Sequence, residues 1–91
     1  MYHKRILTRL NQLNFPLKES LQKLPIVELA GQSRVFIENH LGIFVYTQEE
    51  IHIKMHYGKL IIKGNALNLL HFGKDQLVVH GTIEYLQLMG R

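Results

Sequence analysis

A chain of 91 residues, 46% apolar and 20% charged, is one domain with a thin margin of buried surface, and it is too apolar for a disordered tail. It has no cysteine, which excludes a disulfide framework, a thiolate zinc site and a thiol nucleophile together. Its formal net charge of +4 sits at one end: Lys4, Arg5, Arg9, Lys18 and Lys23 face only Glu19 in residues 1–25, while the remainder holds equal numbers of cations and acids.

The N-terminus is charged, yet no uninterrupted apolar run and no small-residue cleavage site follow, so no leader peptide is legible. No run approaches the roughly 20 apolar residues of a membrane-spanning helix. The expectation is a soluble, cytoplasmic protein.

In residues 4–14, Ile6, Leu7, Leu10 and Leu13 recur at helical spacing opposite Lys4, Arg5, Thr8, Arg9 and Gln12. That spacing predicts a short amphipathic helix. Pro16 ends it, because the residue before a proline disfavours the α region. Leu17, Leu21 and Leu24 extend the pattern to Pro25. Residues 1–24 therefore read as an amphipathic, basic N-terminal helical segment, and residues 25–91 as a β domain. The basic face, Lys4, Arg5 and Arg9, suits an anionic membrane surface or a partner; the leucines suit packing on the sheet.

From Ile26 the period becomes two. Strands are predicted over 26–30, 34–39, 43–47, 51–56, 59–63, 66–71, 76–80 and 82–88. Turn signals separate them at Gly31-Gln32, Asn39 to Gly42, Gln48-Glu49, Tyr57-Gly58, Gly64-Asn65, Gly73-Lys74-Asp75 and Gly81. The fold class is mainly β: the helical segment, then seven or eight short antiparallel strands in a sandwich-like or rolled sheet. Gly31, Gly64 and Gly81 each follow an apolar pair, at a spacing built on about 17 residues. A β-solenoid is the alternative reading of that weak repeat.

Alternation assigns faces. Val35, Ile37, Ile51, Ile53, Met55, Leu60 and Ile62 point inward. Arg34, Glu38, His52, Lys54, His56, Lys59 and Lys63 point outward. The outward set also holds Phe36, Ile61 and Val78, with Phe44 or Val45. A small monomer rarely exposes a wide apolar patch. Phe36, Ile61 and Val78, rimmed by Lys59 and Lys63, are the expected interaction surface for a protein partner or a second copy.

Other chemistry finds little support. His52 and His56 are about 13 Å apart along a strand, too far to share one metal ion. The acids alternate with apolar residues or sit in turns. Ser20 and Ser33 lack a nucleophile-elbow setting, and the glycines cradle no phosphate. Neither an enzyme nor a cofactor is expected. A small basic β-barrel binding nucleic acid is the runner-up, with His52, Lys54, His56, Lys59 and Lys63 as a positive face and Tyr57 for stacking. The interspersed Glu38, Glu49, Glu50 and Glu84 argue against it.

From Leu24 to Leu88 the motifs resemble the YabP/YqfC family of sporulation proteins, YqfC-like members most closely. The resemblance rests on Leu24-Pro25 before the first strand and on Gly31. It rests also on Ile37-Glu38-Asn39-His40 with Gly42-Ile43, on Tyr46, on the alternation Gly58, Leu60, Ile62, Gly64, and on LVVHGTIEYLQL at residues 77–88. His80 departs from the acid expected there. The resemblance implies a non-enzymatic protein of endospore formation, acting through protein–protein contacts in the mother-cell cytoplasm of a sporulating bacterium. It carries over no catalytic residue, metal or cofactor. The motif residues themselves read as structural, with Asn39 suited to an Asx-type turn or to the left-handed region.

Overall fold

The computed structural model describes residues 24–90. The expected N-terminal helix, with Lys4, Arg5 and Arg9, lies outside the described residues. The described chain forms β1 (Ile26–Ala30), β2 (Arg34–Glu38), β3 (His40–Tyr46), β4 (Glu50–Met55), β5 (Gly58–Phe72) and β6 (Gln76–Gly90). They make one six-stranded sheet in the order β1-β2-β6-β5-β4-β3. Every pairing is antiparallel. That corrects the solenoid alternative, whose stacked coils would pair in parallel.

The eight predicted strands become six. Stretches 59–63 and 66–71 belong to one 15-residue strand, and 76–80 and 82–88 to another. Gly64 and Gly81, read as turns, are corners inside continuous strands. The β5–β6 register shifts between Lys63 and Gly64 and between Asn65 and Asn68. Such bulges bend a strand without ending it. The two glycines permit a close approach there. A Cβ on Gly64 would collide with the Thr82 carbonyl, and one on Gly81 (φ 145°) would stand 2.7 Å from the Ala66 oxygen.

Two hairpin turns hold the corners. The Gly81 and Ile83 N–H groups donate to Ser33 and Gln32 carbonyls of the β1–β2 turn (3.1 and 2.8 Å). The Gly64 and Leu67 N–H groups donate to Glu49 and Gln48 carbonyls of the β3–β4 turn (3.0 and 2.8 Å). Each turn thus satisfies two backbone donors that the bulge removes from the ladder. The β1–β2 hairpin extends one half of the long β5–β6 hairpin, and β3–β4 extends the other half on the opposite edge.

Pleat alternation sends the expected residues inward. Val35, Ile37, Ile51, Ile53, Met55, Leu60, Ile62, Leu67, Leu77, Val79 and Ile83 form one buried cluster. In a flat sheet β2 and β4, three strand positions apart, would be separated by about 14 Å. Their side chains share one cluster, so the sheet rolls on itself. Each fully buried aliphatic side chain contributes roughly 1.5–3 kcal/mol.

The roll starts at Asn39, whose φ of 64° turns β2 directly into β3. The turn predicted over 39–42 is this single left-handed residue. Its N–H donates to the Asp75 carbonyl and its side-chain amide to the Leu24 carbonyl, both at 2.7 Å. His40, 6% exposed, follows. Its Nδ1 accepts from the Gly42 N–H (3.0 Å), so Nε2 carries the ring proton and donates to the Gly73 carbonyl (3.0 Å).

Candidate interaction surface

The outward face of the sheet falls into two regions on either side of the corners. In the first, Phe36 lies between Glu28 on β1 and Val78 on β6. Phe36 and Val78 are both half-buried. With Ile26 they border a notch of about 30 Å³. That volume admits little more than a water molecule, whereas small-molecule sites occupy several hundred Å³.

In the second region, Ile61 stands between His52 on β4 and Gln87 on β6. The alternation predicts it exposed; it is 7% exposed and lies outside the central cluster. Long side chains of its own face surround it. Lys59 Nζ lies 5.7 Å from the Phe44 ring centre, and Lys63 Nζ lies 5.5 Å from that of Tyr85. Phe44 meets His52 edge-on at 5.5 Å. Lysine stems and aromatic rings can cover apolar surface while their polar ends stay wet.

The expected patch is therefore not continuous. Phe36 and Val78 come together as direct cross-strand partners. Ile61, Lys59 and Lys63 come together elsewhere, on the first half of β5. The corner at Gly64 and Gly81 lies between the two groups because each hairpin extends only one half of the sheet.

The second region carries the stronger electrostatics. Glu50 Oε1 is 2.9 Å from His52 Nε2 and 3.7 Å from Lys63 Nζ. The hydrogen bond with His52, then the Lys63 charge, hold the Glu50 carboxyl below its ordinary value of 4.5. Tyr85, then Glu50, raise Lys63 above 10.5. Lys54 and Lys59 are cross-strand partners on the same face. His52, Lys54, Lys59 and Lys63 thus share one face, with Lys63 partly neutralised by Glu50, while His56 and Tyr57 lie in the β4–β5 turn.

Sequence alternation missed the apolar side chains at the strand edges. Leu41, Phe44 and Tyr46 on β3, Leu70 and Phe72 on β5, and Leu88 and Met89 on β6 are all at least 40% exposed. Register shifts at Ile43/Val45 and at Leu69/His71 break the period of two on β3 and β5. The ambiguity between Phe44 and Val45 was the one visible signal of this.

A family model described as the YabP family matches residues 22–91. A protein of Bacillus subtilis (strain 168) is 24% identical over 67 residues, covering 74% of this chain and 72% of that one. Its name, uncharacterized protein YqfC, carries no activity. No solved structure matches the chain at a significant level.

Proposed function

The chain belongs to the YabP family, and from that premise we propose a sporulation-associated protein that acts by binding other proteins and catalyses no reaction. Family membership supports the sporulation part; the mother-cell cytoplasm of an endospore-forming bacterium is the setting proposed with it. The observation that carries the binding part is the exposure of large apolar side chains. Phe44, Tyr46, Leu70, Phe72 and Leu88 each exceed half exposure in a chain of 91 residues. Exposed apolar surface at unpaired strand edges is a common basis for protein recognition.

Phe36 with Val78 is the proposed contact on one region. Lys59 and Lys63 around Ile61 are the proposed contact on the other. Lys4, Arg5 and Arg9 remain proposed contacts for an acidic partner or a membrane surface. The second reading, nucleic-acid binding, is favoured by the shared face of His52, Lys54 and Lys59.

A tagged chain recovered from sporulating cells tests both readings, with nucleic acid measured in the same eluate. The protein reading expects a partner that is lost in Phe36→Asp/Val78→Asp while the β-type spectrum persists. The competing reading expects nanomolar nucleic-acid affinity at physiological salt, abolished by Lys54→Glu/Lys59→Glu and falling steeply as salt rises. That second pattern would overturn the proposal.

A further inference from the structure

Away from its corners, the β5–β6 hairpin ends at the cross-strand pair Gly58 and Gly90. The next two rows are Lys59 with Met89 and Leu60 with Leu88. Leu60 is fully buried, so pleat alternation puts Leu88 on the inward side of the sheet and Met89 on the outward side. Both are exposed among the described residues, Leu88 at 68% and Met89 at 40%. Tyr57 in the β4–β5 turn and Phe44 on β3 each exceed half exposure. Two recesses flank this end. One, about 380 Å³, is bordered by Leu24, Met55, Tyr57 and Leu88. The other, about 500 Å³, is bordered by Phe44, Lys54 and Met89. Lys59 borders both.

The charge here has one sign. Lys54 and Lys59 are cross-strand partners, and among the described residues no acid borders either recess. The Glu50 carboxylate is engaged farther along β4, with His52 and Lys63. Leucine, methionine and two aromatic rings at a sheet end, with lysines beside them, suit a bilayer interface. Aliphatic ends sit among acyl chains, rings at headgroup level and ammonium groups at lipid phosphates. A nucleic acid fits less well, because Leu88 and Met89 offer its bases no planar face to stack on.

We propose that this end of the sheet docks on an anionic lipid surface, with Tyr57, Leu88 and Met89 inserted and Lys54 and Lys59 on lipid phosphates. Depth agrees. From the Gly58–Gly90 row back to Leu88 is about 7 Å, within the roughly 5–10 Å to which interfacial segments sink. Phe36 and Val78 lie in the other half of the sheet, so this contact and a protein contact there can fail separately.

The full chain has no tryptophan, so a single indole reports the contact. Leu88→Trp should bind phosphatidylglycerol vesicles with a blue-shifted emission that brominated acyl chains quench. Tyr85→Trp, about 13 Å behind Met89 along β6, should bind equally and keep its emission unchanged. Lys54→Glu/Lys59→Glu should weaken binding about 25-fold or more, since each cation near such a surface is worth about fivefold. Lys4→Glu/Arg5→Glu/Arg9→Glu should leave the Leu88→Trp shift in place at saturating lipid. Absent binding overturns the proposal, and so does equal binding to phosphatidylcholine vesicles. Binding without a change at Leu88→Trp overturns it by placing the contact elsewhere in the chain. A blue shift already present without lipid overturns it too, because protein then covers Leu88. Should Lys54→Glu/Lys59→Glu unfold, quenching of Leu88→Trp decides.

Discussion

Asn39 shows how much one residue can set. Its left-handed φ converts a strand end into a corner, and its side chain ties that corner to Leu24. Asparagine tolerates this region because its short amide bonds locally, whereas other side chains pay about 1–2 kcal/mol. Asn39→Ala should therefore destabilise by about 1–2 kcal/mol, from backbone strain and the lost Leu24 bond. Asn39→Gly should cost less, because it keeps the conformation and loses only the bond. Urea unfolding of the pair checks the order; equal losses would assign the whole effect to the side chain. The same motif includes His40, whose two ring nitrogens join β3 to the β5–β6 turn. The sequence marks Asn39 as a turn residue, but nothing in it marks His40 as buried.

At the scale of the element, β4 and β5 are joined by more than their ladder. Glu50 pairs across to Lys63 and along the strand to His52. A carboxyl held below its ordinary value stabilises the fold at pH above 4.5, and that contribution is lost as pH falls through the lowered value. A lysine held above 10.5 contributes below that pH and loses its contribution as pH rises past it. Wild type should exceed Glu50→Gln in melting temperature between these limits, by a small margin because the pair is exposed. The difference should close at both ends of a pH series. A constant difference across all pH would assign the effect to shape and not to charge.

Over the whole molecule, rolling decides which residues are core. A flat sheet would give Ile53 and Ile61 opposite and equally simple fates, one covered and one bare. In the roll, Ile53 is fully buried in the central cluster, while Ile61 is buried by neighbours on its own face. Ile53→Asp should unfold the domain, since a charge there has no partner and no route to water. Ile61→Asp should stay folded with a lower melting temperature, because Lys59 and Lys63 flank it and can move aside or pair with it. Circular dichroism and thermal melts of the two variants distinguish them. Complete unfolding by Ile61→Asp would make the outward face a second core.

Seven inward positions and most turns were legible in the chain itself. Their signals are local: a period of two in residues such as Ile51, Ile53 and Met55, and turn chemistry at Gly31-Gln32, Gln48-Glu49 and Gly73-Lys74-Asp75. The family resemblance was legible too, in Ile37 to Ile43 and in residues 77–88. The continuity of β5 and β6 was not, because a glycine at a bulge and a glycine at a turn look alike. Only the carbonyls of Gln32, Ser33, Gln48 and Glu49, supplied from distant turns, let the strands bend without breaking. The burial of Ile61, between His52 and Gln87 of the two neighbouring strands, is likewise set by residues that only folding brings beside it. Among the described residues, the exposure of Leu88 on the inward side of β6 depends on which strand edges meet when the sheet rolls. Sequence alone determined which residues alternate and where the chain can turn; tertiary structure decided what lies over each face, because cover comes from residues that only folding brings near.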